Sequence, residues 1–323
     1  MTAVTADRPA TWTPLRLGKV SAVVAVLVGL PAVAHSPAIT TVFISALMFG
    51  VFGAIYDLMI GYGGLTNFGY AAFIAVGAYA SGLADVNYGI SPWLGLGIGG
   101  IACAIFGFLT GVVTLRLRGL YLGLMTWFIG ESVRLTISNT PGVTRGMLGL
   151  SVDPFPSILG IDFSRGHLLP YYFLLVLLAA AILGAMFWLV RSKTGLAFKA
   201  IREDELATES LGLSATKYKL LNFTVASFFT GIMGSYYAHY LGILSPTPEE
   251  FGVQRTVEIL TMAYVGGRGT LWGSVVAAFV LVGFQEYFRS LGAWRLVMFG
   301  ILLILVMLFA QRGLAGFIRR RLW

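Results

Sequence analysis

A chain of 323 residues that is 57% hydrophobic and only 11% charged is not an ordinary soluble domain, for which about 45–50% apolar and about 25% charged is usual. Its apolar runs approach or exceed the ~18–20 residues that cross a bilayer and are continuous, which points to an all-α polytopic integral membrane protein and excludes the ~10-residue alternating strands of a β-barrel. The net charge of +8 reads as membrane topology rather than nucleic-acid binding, and a single cysteine, Cys103, excludes a disulfide framework or a thiolate metal cluster.

In chain order, residues 1–15 are a polar, proline-containing tail, and Arg16 and Lys19 lead into a first apolar run at about 20–34. That run ends in Pro31-Ala32-Val33-Ala34-His35, which resembles the A-x-A site of a signal peptidase; cut or kept, residue 35 falls outside. Further spans are expected at about 38–60, 68–84, 92–115, 119–138 and 169–190, completing a first transmembrane bundle over 16–190. Its external loop, 139–168, holds Pro141, Gly142, Pro154, Pro156 and Gly160 without a long apolar run. It reads either as a short surface element or as a landing place for a soluble external protein. A polar stretch, 191–219, separates this bundle from a second over 220–311, with spans at about 220–241, 255–266, 270–288 and 294–311, before a basic tail, 312–323.

These make about ten transmembrane or half-membrane helices, with both termini cytoplasmic if the N-terminus is inside. The charges agree. Inside fall Arg8, Arg16, Lys19, Arg116, Arg118, the six basic residues of 191–219, Arg268, Arg312 and Arg319 to Arg321. Outside loops receive Arg145, Arg165, Arg289 and Arg295, so the asymmetry is sixteen against four. The run 255–266 is too short to cross unless it is a half helix, and merging it with its neighbour would place Arg319 to Arg321 outside.

The stretch RSKTGLAFKAIREDELATESLGLSATKYK at 191–219 carries six basic residues and four acidic ones, Glu203, Asp204, Glu205 and Glu209. Charged groups are too costly in hydrocarbon for it to lie there, so it projects into water. It also carries ordering signals: Thr194 as a helix cap, an interruption at 203–205, Gly212 as a C′ residue and Ser214 as the cap of the next helix. An ordered polar projection on a membrane protein suggests a docking point for a soluble partner.

The run from Gly61 through Tyr62, Gly63, Gly64, Asn67, Phe68 and Gly69 to Phe73 lies between two spans. Glycines there suit broken backbone at membrane depth, which is tolerated where protein or a water-filled cavity surrounds it. The reading is a pathway-lining element, or tight packing through small residues, or both. A weaker echo is Gly266-Gly267-Arg268-Gly269-Thr270-Leu271-Trp272-Gly273, also expected on the cytoplasmic side. Charges within spans mark functional candidates. Glu131 and Arg134 are three apart near one outer end, and Arg255 and Glu258 repeat that spacing at another. They read as holders of the charged ends of a small zwitterionic solute or, more blandly, as intrahelical ion pairs. Asp57 reads as reaching the cytoplasmic interface. His35, His167 and His239 share no metal-binding spacing, and no nucleotide-phosphate or hydrolase motif is present.

Three segments carry a resemblance: GYGGLTNFGYAAFIAVGAYASG at 61–82, LRLRGLYLGLMTWFIGESVRL at 115–135 and SKTGLAFKAIREDELATESLGLSATKYKLLNF at 192–223, with AYVGGRGTLWGSVVAA at 263–278 in support. Together they resemble the permease subunits of branched-chain amino acid importers of the ATP-binding cassette class, the LivM-like group, from about residue 45 to 310. The resemblance implies a bacterial inner-membrane permease that is not itself an enzyme and holds no cofactor, ATP being bound by partner subunits. Implied partners are two ATPase subunits, a second homologous permease and an external solute-binding protein. It further implies that 191–219 is the coupling loop, with Ala200, Arg202, Glu203, Asp204, Glu205, Glu209 and Gly212 at the ATPase contact. Candidate solute-pathway residues are Tyr62, Gly63, Gly64, Asn67, Phe68, Phe73, Trp127, Glu131, Arg134 and Glu258. Phe68, Tyr70, Trp127 and Phe128 are more aromatic than the group leads one to expect, which leaves urea, amide or aromatic-acid substrates open. The rival reading is a stand-alone secondary transporter or channel.

Overall fold

The computed structural model describes residues 36–288 apart from 159 and 165, together with Gly292, Trp294, Val297, Met298, Gly300, Ile301, Ile304 and Gly313. The tail 1–15, the run 20–34 with its cleavage-like end, the basic tail 312–323 apart from Gly313 and, but for six of those isolated residues, the span 294–311 lie outside the described residues.

The described chain is mostly helical. Helix α1 (Pro37–Asp57) runs on through a π-turn, Leu58–Tyr62. It is followed by α2 (Tyr70–Tyr88), α3 (Pro92–Thr114), α4 (Leu120–Ser138) and α5 (Leu168–Arg191). Two short helices, α6 (Lys193–Glu203) and α7 (Glu205–Ser210), precede the long α8 (Ala215–Leu241). Then come α9 (Val253–Gly266) and α10 (Trp272–Tyr287). Pro37 and Pro92 open their helices at positions where a missing N–H costs nothing. Among the described residues three helices are long and apolar enough to cross a membrane: Pro37–Tyr62, Pro92–Thr114 and Leu168–Arg191. Helix α8 is less apolar because many of its polar groups face the bundle. Asn222, Ser227, Thr230, Ser235 and His239 of α8 are all fully buried.

Helix α8 is the hub, packed against α2 and α3 through small residues. A Cβ on Gly77 would come 2.6 Å from Gly231 Cα, and one on Gly99 would come 2.6 Å from Gly77 O. The Ser235 hydroxyl is shared between Gly77 O (3.2 Å) and Gly231 O (3.0 Å). Close backbone approach with hydrogen bonds across helices is how helices associate where no hydrophobic drive separates them from lipid. Outside this core, α3 and α5 present Ile101, Ile105, Leu109, Leu177 and Trp188, an apolar surface suited to hydrocarbon.

The segment 63–69 is broken backbone inside the bundle, and several of its N–H groups find partners off the helical ladder. Leu65 N donates to Met59 O (3.0 Å), Phe68 N to Thr126 Oγ1 (3.1 Å) and Gly69 N to Asn67 Oδ1 (3.0 Å). At the start of α2, Ala71 N donates to Thr256 Oγ1 (3.0 Å). Side chains from α4 and α9 thus replace the missing ladder, as non-helical backbone at this depth requires. Helix α9 has only 14 residues, about 21 Å at the helical rise. That is shorter than the ~30 Å hydrocarbon core.

The loop 139–168 folds back onto the bundle. Leu150–Ser151 pairs antiparallel with Ile243–Leu244, and Trp93 packs on Phe155 (4.8 Å) and Phe163 (5.5 Å). His239 Nδ1 donates to Asp153 O (2.7 Å), which leaves Nε2 to accept from the Ser81 hydroxyl (2.8 Å). This histidine is a buried clamp between loop and helices.

Candidate functional site

Two features gather the singled-out residues. The first is a junction at the end of the bundle that carries α6 and α7. Ser192, not Thr194, caps α6, its hydroxyl accepting from Gly195 N (3.5 Å), because the break after α5 falls there. Helix α6 stops at Glu203, and Asp204 caps α7 by accepting from Ala207 N (3.0 Å). Gly212, at φ 85°, closes α7 in the left-handed conformation that glycine tolerates best. Ser214 stands at the N-cap of α8 without a side-chain hydrogen bond.

Helix α6 is seated on the first glycine-rich turn. The Arg202 guanidinium donates to Gly61 O, and its aliphatic stem crosses Gly64, where an added Cβ would lie 3.2 Å from Arg202 Cγ. Lys199 lies 5.3 Å over the Tyr62 ring. That turn is in turn bound to the second. Asp57, expected at the interface, is completely buried, and its carboxylate accepts from Gly269 N (2.7 Å), Thr270 N (3.0 Å) and Leu271 N (3.0 Å). Tyr62 Oη donates to Gly269 O (2.8 Å), and Asn222 Nδ2 to Leu58 O (2.9 Å). Leu271, the last of the three donors, is at φ 53°, a conformation that a bulky residue enters only under constraint. Below, Glu205 pairs with Lys219 (2.7 Å) and Arg118 (3.5 Å), tying α7 to the start of α8 and to the α3–α4 turn.

The second feature is a narrow crevice, open to solvent, beside the starts of α2 and α9. Phe68, Gly69, Trp127, Glu131, Phe251 and Thr256 line it. Trp127 stacks on Phe128 with centroids 5.6 Å apart. Glu131 is paired with Arg134 (Nε to Oε1 3.0 Å), whose Nη1 also donates to Pro246 O (3.0 Å).

A family model described as branched-chain amino acid transport system / permease component matches residues 38–310. The chain belongs to this family. It is 33% identical over 297 residues to the high-affinity branched-chain amino acid transport system permease protein LivM of Salmonella typhimurium, and equally to that of Escherichia coli, spanning 85% of this chain and 69% of each relative. No solved structure matches. The protein is therefore a polytopic helical permease, the membrane component of an importer of the ATP-binding cassette class.

Within this permease the residues singled out by sequence separate into groups. Phe68, Trp127 and Glu131 meet in the crevice, with Arg134 beside them. Tyr62, Gly63 and Gly64 belong to the junction, and Asn67 is fully buried just above it. Phe73 is core, edge-on to Phe223 at 5.5 Å. Glu258 pairs with Arg255 (2.6 Å), and that guanidinium lies 4.6 Å over Phe49. On α6 and α7, Ala200, Glu203, Asp204, Glu209 and Gly212 are exposed, whereas Arg202 and Glu205 bind other parts of the chain. Sequence reasoning missed Asp57 as a site residue. Its signal was a lone acid in an apolar helix, and the amide-rich GGRGTL turn was its complement.

Proposed function

We propose that the permease imports branched-chain amino acids or related small polar solutes by alternating access, driven by two ATPase subunits that seat on α6 and α7. In this reading it crosses the bacterial inner membrane about ten times with both termini cytoplasmic, pairs with a second homologous permease and receives solute from an external binding protein. It binds no nucleotide itself. The end bearing Arg118, Lys199, Arg202, Lys219 and Arg268 is the cytoplasmic one, in keeping with the positive-inside bias.

One observation carries the docking claim. On a segment too charged for lipid, three leucines stand out in solvent: Leu196, Leu206 and Leu211, exposed by 61%, 67% and 84%. Apolar anchors with charged neighbours suit a helix pressed into a groove of a soluble partner. Leu206→Asp combined with Leu211→Asp is expected to cut copurification of the ATPase from membranes at least tenfold while the permease still accumulates. Undiminished copurification contradicts the reading.

The solute path is placed past the crevice. Aromatic walls suit an apolar side chain, and the Glu131–Arg134 pair offers both signs of charge to a zwitterion. Trp127→Ala should raise the KM for ATP-driven uptake about tenfold, with ATPase copurification unchanged. An unaltered KM removes Trp127 from the path.

A further inference from the structure

We infer that Arg202 is the positioning residue through which movement of the coupling segment reaches both glycine-rich turns. The inference rests on the reading that α6 and α7 seat on an ATPase. By chain connection alone, α6 and α7 pull on α5 before them and α8 after them. The hydrogen bonds add a second route. The Arg202 guanidinium holds Gly61 O, and Lys199 one turn earlier covers Tyr62. Gly61 and Tyr62 lie at the foot of α1, in a π-turn that follows Asp57 directly. Asp57 grips the amides of Gly269, Thr270 and Leu271, and Tyr62 grips Gly269 O, so the link between α9 and α10 is fastened to the same turn.

The geometry favours transmission as one body. A buried carboxylate that accepts from three amides cannot slide past them without leaving itself or them unpaired. Gly61 and Gly269 are also in direct backbone proximity, so neither turn can shift sideways independently. Arg202 is the only described side chain of α6 that donates a hydrogen bond into this assembly. A fork of rigid donors suits that task better than a flexible ammonium. Helices α9 and α2 border the crevice, so displacement of the two turns acts on its walls.

The test uses the whole importer, with its ATPases and binding protein, in proteoliposomes, comparing the unaltered permease with Arg202→Ala and Arg202→Lys. Three quantities are read: ATPase copurified, ATP hydrolysed and solute taken up per ATP. The expected result for Arg202→Ala is full assembly, continued hydrolysis and at least a tenfold fall in uptake per ATP, with partial recovery in Arg202→Lys. Unchanged uptake per ATP overturns the inference. So does a loss of uptake that only tracks loss of bound ATPase, which would make Arg202 a docking or purely structural residue. If no ATPase copurifies even with the unaltered permease, the docking reading falls and this inference with it.

Discussion

Replacing Gly231 with leucine is expected to abolish accumulation of folded permease in the membrane. A Cβ at this position would lie 2.5 Å from Cys103 Cβ and against the Gly99 carbonyl. Neither neighbour can yield by a rotamer change, because one is a fixed Cβ and the other is backbone. Overpacking in a core that can adjust costs about 1–3 kcal/mol. Here α3 must separate from α8 along its length, because both clashing groups belong to α3. Gly97→Leu and Gly184→Leu are the matched controls, since a Cβ at either meets nothing within 4 Å. Size-exclusion profiles of tagged protein in detergent check the claim: a monodisperse peak for the controls and aggregate or nothing for Gly231→Leu. An equal monodisperse peak for Gly231→Leu contradicts it.

The second large effect is expected at Asp57. Its alanine variant leaves the amides of Gly269, Thr270 and Leu271 without their acceptor, the last of them buried. The Leu271 donor is buried, so leaving it unpaired costs about 1–3 kcal/mol, while the part-exposed Gly269 and Thr270 donors cost less. Even the single buried term is a sizeable share of the ~5–15 kcal/mol that holds a domain folded. Asp57→Asn keeps one acceptor oxygen and is expected to fall between the two. Thermal unfolding of the purified permease should order the three as Asp57, then Asn, then Ala. An alanine variant as heat-stable as the parent would show that the 269–271 turn stands without this carboxylate.

Much of the helix pattern was legible because its signals are local. Pro92 and the end of an apolar run at Thr114 mark α3, and the continuous run closed by Arg191 marks α5. The break of the polar segment at 203–205 and the turn at Gly212 follow from capping chemistry. The cap of α6 was misplaced by two residues because Ser192 and Thr194 are equally good caps in sequence. Only the bend after Arg191 chooses between them. What sequence does not carry is long-range pairing. Asp57 and Gly269 are 212 positions apart, and nothing local distinguishes a carboxylate that reaches water from one that captures a distant turn. That the two glycine-rich segments touch one another is likewise not carried by either segment alone. In the same way, Phe68, Trp127 and Glu131 could be singled out by residue type. Phe251, Gly252 and Thr256 could not, since they complete the crevice only once the short turn Pro248–Phe251 brings them there.

The central claim is that this permease moves solute only when a partner ATPase drives it through α6 and α7. The most direct measurement is uptake of labelled leucine into proteoliposomes holding the assembled importer and its binding protein, with ATP, without ATP, and with the Leu206→Asp, Leu211→Asp permease. The account predicts accumulation that requires ATP and is lost in the double variant. Accumulation by the permease alone, without ATP or ATPase, would contradict it and make the chain a self-sufficient transporter.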